Sequence, residues 1–219
     1  MKVVIIGANR GIGFELAKQY REKGYDVVAT CRKTNDALKS LKVTVVEGID
    51  TTEDSLVESL SAKIPFEMID ILIHSAGILQ SDRFPEIDLD NMRQSFEVNT
   101  LGPLRTALAL KNKLKSGSKF GIITSRVGSI GDNSSSNNYA YRTSKTAVNM
   151  VGKCLSLDLK DQGIAVALLH PGYVKTDMTG HNGLIEPSES AEGLILRMEE
   201  LSLETSGIFI HTSGETLTW

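Results

Sequence analysis

The sequence has little cysteine, few aromatic residues and no long hydrophobic run, and these shortages exclude several classes of protein. Only two cysteines, Cys31 and Cys154, occur in 219 residues, which indicates neither a disulfide scaffold nor a paired-cysteine zinc site. No segment approaches the ~20 consecutive apolar residues of a membrane span, and the first apolar run is too short for a secretion signal. We therefore expect a cytoplasmic protein without a membrane partner.

An excess of one charge sign is also missing. The net charge is −3, from 24 basic and 27 acidic residues, and no basic stripe of the kind that binds a phosphate backbone is present. Nucleic acid is therefore not an expected partner. The four histidines lack the spacing of metal ligands, so no metal site is predicted.

What the sequence does contain is an alternation of short apolar runs and longer segments of helical period. Such alternation predicts βαβ units on a parallel sheet. The fold class expected is α/β, a doubly wound sheet in a single domain spanning residues 1–219, with ligands bound beyond the carboxyl ends of the strands. The predicted strands are Lys2–Ile6, Asp26–Thr30, Val43–Glu47, Ile69–Ile73, Lys119–Thr124, Ala165–Leu169 and Gly207–Ile210. The predicted helices are Gly11–Lys23, Glu53–Ser61, Asp90–Ser116, Tyr139–Asp161 and Ser188–Leu201.

A glycine-rich turn follows the first predicted strand and opens a helix. It consists of Gly7, Ala8, Asn9, Arg10, Gly11, Ile12 and Gly13. Glycines allow a pyrophosphate to approach the backbone closely, and the helix N-terminus offers unpaired N–H groups to it. The context favours a dinucleotide site, and a plain tight turn is the alternative.

The end of the second predicted strand bears on the choice of cofactor. NAD-preferring folds place a carboxylate there to bind the ribose 2′-hydroxyl, whereas this chain has Arg32. Arg10 in the glycine turn is the second candidate for the same contact. Guanidinium groups match a 2′-phosphate, which favours NADP(H); ordinary solvated surface charges are the alternative.

A tyrosine and a lysine four residues apart, Tyr141 and Lys145, begin a long predicted helix and share one of its faces. A nearby ammonium stabilises a phenolate, so we expect Lys145 to lower the pKa of Tyr141 towards neutrality. Alone, this spacing is more typical of an ordinary exposed pair.

Several motifs in order along the chain resemble a known family. They are Gly7…Gly11-Ile12-Gly13, His74-Ser75-Ala76-Gly77, Asn99, a serine before Tyr141, the Tyr141/Lys145 pair and Pro171-Gly172…Thr176. Together they resemble the short-chain dehydrogenase/reductase family over nearly the whole chain, and within it the branch of C-factor-like and sniffer-like carbonyl reductases. The resemblance implies a Rossmann-type fold, NADP(H) and a small carbonyl or alcohol substrate.

The resemblance also implies roles for single residues. Tyr141 would be the general acid/base, Lys145 would bind the nicotinamide ribose and Asn99 would hold a proton-relay water. Ser125 would steady the substrate oxygen; Ser129 stands closer to the usual spacing, but Ser125 directly follows a predicted strand and is preferred. The other implied cofactor contacts are Asp50 and Thr51 at the adenine, Ala76 and Gly77 at the ribose, and Pro171, Gly172, Val174 and Thr176 near the carboxamide.

This chain departs from the family pattern at Ile6, where threonine is usual, and at His74-Ser75, where two asparagines are usual. These positions support the backbone, so cofactor affinity or stability is put in doubt rather than the chemistry. We interpret His74 as a hydrogen-bonded structural histidine.

Two functions remain open at this point. The first is an NADP(H)-dependent reductase or dehydrogenase acting on a carbonyl/alcohol carbon. The second is a dinucleotide-binding signalling protein with little or no turnover, as the C-factor resemblance suggests. We also expect a homodimer or homotetramer, packed through the helices Asp90–Ser116 and Tyr139–Asp161; the apolar residues proposed for this seam are Leu104, Leu108, Val148, Val151 and Leu155.

Overall fold

A computed structural model describes all residues from Met1 to Trp219. Seven parallel strands form one sheet in the order β3-β2-β1-β4-β5-β6-β7. Their bounds are β1 Lys2–Ile6, β2 Asp26–Thr30, β3 Thr44–Val46, β4 Ile69–His74, β5 Leu114–Ile123, β6 Ala165–His170 and β7 Ile208–His211. Strands β1 to β3 are added towards one edge of the sheet, and β4 to β7 are added towards the other. The boundary between β1 and β4 is therefore the switch point, where doubly wound folds bind ligands. The predicted α/β fold class is confirmed.

Seven α-helices cover the two faces of this sheet. They are α1 Gly11–Glu22, α2 Asp36–Ser40, α3 Leu56–Lys63, α4 Leu89–Phe96, α5 Gly102–Leu110, α6 Tyr139–Asp158 and α7 Pro187–Glu200. None of them is both long enough and apolar enough to cross a bilayer.

The strands are apolar throughout because both faces of the sheet are covered. Successive residues of β1 point to opposite faces, so Val3 and Ile5 belong to one core cluster while Val4 and Ile6 belong to the other. Helices α1 and α7 pack on the first face, and α3, α5 and α6 pack on the second. Helix α6 approaches the sheet closely at Gly152, where a Cβ atom would lie only 2.4 Å from Leu168 of β6.

The predicted helix Asp90–Ser116 is wrong in two respects. First, it is interrupted by a π-helical turn at Glu97–Leu101, after which Pro103 occupies the first turn of α5. Second, β5 begins at Leu114 instead of Lys119. The Ser118 hydroxyl donates to the Ile69 carbonyl at 2.6 Å, and this side-chain bond takes the place of a ladder bond where the strand register shifts.

The short helix α2 was absent from the predicted elements. Its cap is local: the Asn35 side chain accepts the Leu38 N–H at 2.8 Å. The remaining boundaries differ from the predicted ones by only a few residues, which is the usual scatter at helix and strand ends.

The C-terminal residues form a tail beside the last strand. Leu217 N–H donates to the Phe209 carbonyl at 2.8 Å, and Ile210 and Thr216 form an isolated antiparallel bridge. The Trp219 ring stacks on Phe209 with ring centroids 5.3 Å apart. The Trp219 carbonyl also accepts the Gly131 N–H at 2.8 Å, so the tail supports the loop that follows β5.

Candidate active site

A cleft of about 490 Å³ opens where the strands β1, β2, β4, β5 and β6 end, because parallel strands present all their carboxyl ends at one edge. Most residues predicted to bind a cofactor line it. They are Gly7, Asn9, Arg10, Gly11, Ile12, Gly13, Arg32, Asp50, Thr51, Ala76, Gly77, Tyr141, Lys145, Pro171 and Thr176.

Two predicted cofactor residues are not brought into the lining. Gly172 has φ +86° and packs against the Ile185 side chain, which a Cβ there would approach to 2.9 Å. Val174 is buried and bridges to Ile185; its carbonyl accepts the Thr179 hydroxyl at 2.7 Å. Ser75 of the predicted motif lines the cleft as well, together with Val98 and Asp177, which no sequence motif had indicated.

The glycine turn is built by backbone contacts that side chains would prevent. A Cβ on Gly13 would lie 2.2 Å from the Gly7 carbonyl oxygen, and one on Gly7, at φ +85°, would lie 2.7 Å from the Ala76 nitrogen. Helix α1 begins here without a side-chain cap and without an acidic residue in its first turn. Its first N–H groups and its partial positive charge are therefore available to an anion.

The two arginines proposed to select the cofactor lie at the same end of the cleft. Arg32 is exposed just after β2, and no carboxylate occupies that strand end. Arg10 is exposed too, and its guanidinium forms an ion pair with Asp177 at 3.2 Å. Asp177 follows Thr176 and belongs to another part of the chain, so spacing alone gave no signal for this pair.

Tyr141 and Lys145 lie together on α6 as predicted, with the Lys145 Nζ 5.7 Å from the centre of the phenol ring. Lys145 is almost fully buried, and its ammonium donates to the Ile123 carbonyl at 3.0 Å. Burial lowers the pKa of Lys145 to about 8, because a charged amine is disfavoured away from water.

The expected lowering of the tyrosine pKa is wrong for the protein alone. Burial raises the pKa of Tyr141 to about 12, and the hydrogen bond from the Ser125 side chain opposes this rise only in part. The phenol therefore keeps its proton at neutral pH, while Lys145 keeps its charge. Desolvation of the phenolate is the dominant cause, and no hydrogen bond joins the Lys145 ammonium to the phenol.

The two candidate serines have different surroundings. Ser125 follows β5, and its hydroxyl accepts the Val127 N–H at 3.4 Å; the side chain is close enough to Tyr141 to lower the pKa of the phenol. The Ser129 hydroxyl instead accepts the Asp132 N–H at 3.0 Å, within its own loop. Gly128 lies between them, and its missing Cβ lets this loop contact the backbone of Lys145, from which that atom would be 2.7 Å away.

Asn99 lies behind the cleft in the π-helical turn and is buried. Its side chain is fully engaged: Oδ1 accepts the Ile78 N–H, while Nδ2 donates to the Ile78 carbonyl and to the Ser144 hydroxyl, all within 2.9–3.0 Å. The Asn99 carbonyl cannot receive the usual helical bond from four residues on, because Pro103 has no N–H.

One histidine near the site has structural surroundings. His74 is fully buried and pairs through Nδ1 with the Thr106 hydroxyl at 3.0 Å, in agreement with the predicted structural role. Burial, followed by the charge of Lys145, lowers the pKa of His74 to about 3, so it is neutral. No three His, Cys, Asp or Glu side chains lie close enough together to hold a metal ion.

Comparison with known proteins agrees with this geometry. Residues 1–184 match a family model described as short chain dehydrogenase. The chain belongs to the short chain dehydrogenase family. One short chain dehydrogenase relative, 1-hydroxy-2-glutathionyl-2-methyl-3-butene dehydrogenase of Rhodococcus sp. (strain AD45), is 42% identical over 223 aligned positions covering 99% of each chain. C-signal of Myxococcus xanthus is 36% identical over 154 positions, which cover 69% of this chain and 93% of that protein.

Solved structures show the same fold. The carbonyl reductase Sniffer of D. melanogaster superposes with a TM-score of 0.89 at 28% identity, over 100% of this chain and 99% of that one. The NADPH-bound carbonyl reductase from chicken fatty liver superposes with the same TM-score and identity, over 100% of this chain and 98% of that one. The predicted family and its carbonyl reductase branch are thereby confirmed.

The buried charge of Lys145 predicts a distinctive pH dependence of stability. Below pH 8 the lysine is charged in both the folded and the unfolded protein, so the folded state bears the full cost of burial. Between pH 8 and 10.5 the folded state has lost the proton while the unfolded state keeps it. The free energy of unfolding of the wild type, relative to Lys145→Met, should rise by about 3 kcal/mol across this interval.

Urea unfolding of both proteins at pH 7 and pH 10 measures this difference. A difference that stays constant between the two pH values would mean that Lys145 is solvated in the folded protein.

Proposed function

We propose that this protein is an NADP(H)-dependent oxidoreductase that reduces a carbonyl to an alcohol or catalyses the reverse reaction. The observation that carries the proposal is the grouping of Tyr141 and Lys145 in a glycine-lined cleft, with the Lys145 Nζ 5.7 Å from the centre of the phenol ring and Ser125 as a neighbour of the phenol. A developing alkoxide requires an acid, a hydrogen-bond donor and a fixed positive charge close to one point.

The cleft fits a dinucleotide. The turn is packed too tightly for a Cβ at Gly7 or Gly13, and the helix α1 that it opens begins without a side-chain cap, so the exposed N–H groups of this turn would hold the pyrophosphate. Arg32 and Arg10 would bind the 2′-phosphate, and Lys145 would bind the nicotinamide ribose. When bound, the nicotinamide ring would supply or accept the hydride.

Tyr141 acts as the general acid in the reductive direction. Because burial keeps its pKa well above 7, the phenol is protonated at neutral pH and can donate to the oxygen of a carbonyl substrate. Ser125 donates a second hydrogen bond to that oxygen, and the Lys145 charge stabilises the phenolate that remains.

Asn99 helps to replace the proton that Tyr141 gives to the substrate. Its side chain is fully engaged, so the available acceptor is its carbonyl, which Pro103 leaves without the usual helical bond. Once Tyr141 has given its proton to the substrate, Lys145 can release a proton towards the phenolate, and a water held at the Asn99 carbonyl would then return a proton to the lysine, as the family resemblance implies.

Two kinds of relative bear on the substrate and on the direction of the reaction. Solved neighbours are named as carbonyl reductases, whereas the 42% identical Rhodococcus protein is named as a dehydrogenase of a hydroxylated glutathione conjugate. Both names describe chemistry at a carbonyl/alcohol carbon. We therefore propose a small carbonyl or alcohol as the substrate.

The second candidate is a dinucleotide-binding signalling protein with little turnover. The likeness to C-signal favours it. The grouping of Asn99, Ser125, Tyr141 and Lys145 around the start of α6 favours catalysis. NADPH consumption with a panel of aromatic and aliphatic carbonyls separates the two, because a pure binder would bind NADPH without consuming it.

Replacement of the proposed acid is the first test. Tyr141→Phe removes the hydroxyl alone, so turnover should fall by about 10²–10⁴-fold while the affinity for NADPH stays within a few-fold. Steady-state kinetics and a fluorescence titration of NADPH measure the two effects. Tyr25→Phe, at the opposite edge of the sheet, is the matched control. Retention of more than about a tenth of the activity would refute the assignment of Tyr141.

The relative affinity for NADPH and NADH provides the second test. A charge-assisted contact with a phosphate contributes about 1.5–3 kcal/mol, so the wild type should bind NADPH at least about tenfold more tightly than NADH. Arg32→Asp replaces attraction by repulsion and should shift the preference towards NADH without changing the Tyr141 chemistry. Arg21→Asp, at the far end of α1, changes the net charge equally and should leave the preference unchanged. Equal binding of NADH and NADPH by the wild type would disprove the role of the arginines.

The proposed homo-oligomer rests on an exposed apolar stripe of α6. Met150 and Leu157 are 66% and 63% exposed one heptad apart, and Leu108 of α5 is 45% exposed. Val148, which was predicted to belong to this seam, is fully buried in the core instead, because it faces the sheet. We propose that a second copy of the chain covers α5 and α6.

Sedimentation velocity at micromolar concentration tests the oligomeric state. The wild type should sediment as a dimer or tetramer, and the double variant Met150→Glu/Leu157→Glu should sediment as a monomer, because charges cannot be buried in the seam. Leu196→Glu, at a leucine of α7 that is 45% exposed, is the control. A monomeric wild type would exclude the proposed assembly.

A further inference from the structure

The helix that carries Tyr141 begins without a cap of its own. Asn138, the residue before α6, has φ +50° and ψ +44°, and its side chain makes no capping hydrogen bond. Tyr141 is the third residue of this helix, within the first turn. The first turn of a helix frays most easily because its N–H groups lack helical partners.

A distant carboxylate supplies the missing cap. Asp82 lies 57 positions before Tyr139, yet its two oxygens accept the first N–H groups of α6, Oδ1 from Tyr139 and Oδ2 from Ala140 at 3.0 Å. Its backbone carbonyl accepts the Asn138 N–H at 2.9 Å. Asp82 is only 9% exposed, so water competes little for these bonds. A buried carboxylate at a helix N-terminus is also favoured by the helix dipole.

The segment that carries Asp82 is fastened to the π-helical turn. Ile78 at its start is bound through both its N–H and its carbonyl to the side chain of Asn99. Gln80 accepts a hydrogen bond from the Ser95 hydroxyl at 3.2 Å, so the segment is held by α4 as well. The position of Asp82 is therefore defined by elements other than α6.

A second set of bonds closes the network from the other side. The Ser144 hydroxyl donates to the Tyr141 carbonyl at 2.8 Å and accepts the Asn99 Nδ2 at 3.0 Å. Hydrogen bonds and the covalent chain together thus form a closed ring. The ring runs from Asn99 through Ile78 and Asp82 to the first turn of α6, and it returns to Asn99 through Ser144. Tyr141 lies inside this ring and is restrained on both sides.

We propose that Asp82 is a positioning residue for the phenol of Tyr141, acting through the first turn of α6. The proposal rests on the proposed function, in which Tyr141 is the general acid. Asp82 holds the turn in place so that the phenol stays at the Ser125 hydroxyl, and it makes no contact with the reacting atoms.

The rest of α6 is fastened independently of Asp82. Lys145 is bound to the Ile123 carbonyl, the Thr146 hydroxyl donates to the Gly128 carbonyl at 2.9 Å, and Asn149 accepts the Thr124 hydroxyl at 2.6 Å. Loss of the carboxylate should therefore loosen Tyr139–Ser144 and leave the lysine and the later turns in place. A general structural defect would affect the whole helix.

The test compares Asp82→Ala and Asp82→Asn with Asp88→Ala. Asp88 is the matched control, because its side chain caps α4 by accepting the Asp90 and Asn91 N–H groups at 2.8 and 3.4 Å, and α4 carries no catalytic residue. All variants should lose some thermal stability, as expected for a lost cap. Only the Asp82 variants should lose kcat.

For Asp82→Ala we expect kcat to fall by about 10–100-fold, because a small misplacement of a reacting group is enough for such a loss. The KM for NADPH should change by less than about threefold, since the cofactor contacts are retained. Asp82→Asn keeps one acceptor oxygen in place of two and should lie between the wild type and Asp82→Ala. If Asp82→Ala does not fold, the comparison of Asp82→Asn with Asp88→Ala still decides the question.

Amide hydrogen exchange of the protein without cofactor provides a readout that needs no turnover. Exchange should accelerate in residues 139–144 of the Asp82 variants and remain unchanged beyond Lys145. Wild-type kcat in both Asp82 variants, or uniform acceleration along α6, would overturn the positioning role while leaving the reductase assignment intact. A wild type that reduces no carbonyl would overturn the reductase assignment, and the exchange pattern would still decide whether Asp82 holds the first turn.

Discussion

The close approach of α6 to the sheet is the contact on which the whole site depends. Gly152 allows the helix to lie against Leu168 of β6, and Gly128 allows the loop after β5 to touch the backbone of Lys145. Larger residues at either point would push the helix outward, because protein cores are packed too densely to absorb added atoms freely. The contact places Tyr141 beside Ser125 and Lys145 beside Ile123, which no local propensity of the helix could achieve.

This packing creates an electrostatic cost that the proposed function explains. Burial raises the pKa of Tyr141 to about 12 and lowers that of Lys145 to about 8, so both side chains are held where their charged forms are disfavoured. A protein selected for stability alone would place apolar residues there. Unfavourable burial of ionisable groups at the edge of a cleft is the usual mark of an active site.

Much of the fold could be predicted from the sequence because its signals are local. The strands β1, β2, β4 and β6 are continuous apolar runs, and the glycine turn stands directly between β1 and α1. The pairing of Tyr141 with Lys145 also follows from one helical turn. Each of these features depends on residues that are neighbours in sequence, so spacing is sufficient to find them.

The missed features depend on contacts between distant residues. The start of β5 is defined by Ser118 bonding to Ile69, 49 positions away. The break between α4 and α5 is the exception, because Pro103 is a local signal within an otherwise helical pattern. The cap of α6 comes from Asp82, 57 positions away from the first residue that it caps. The pKa of Tyr141 was misjudged because spacing reveals the nearby ammonium but gives no measure of burial.

The C-terminal tail has a consequence for the behaviour of the protein at high concentration. An open sheet has two edges whose unpaired N–H and C=O groups can recruit strands from other molecules, a common route to aggregation. One edge strand, β3, has only three residues, and the other, β7, is shielded by the Thr216 bridge and the Leu217 bond to Phe209. Neither edge presents a long run of free backbone groups, so self-association through the sheet is disfavoured and the helical faces are left as the surfaces for specific assembly.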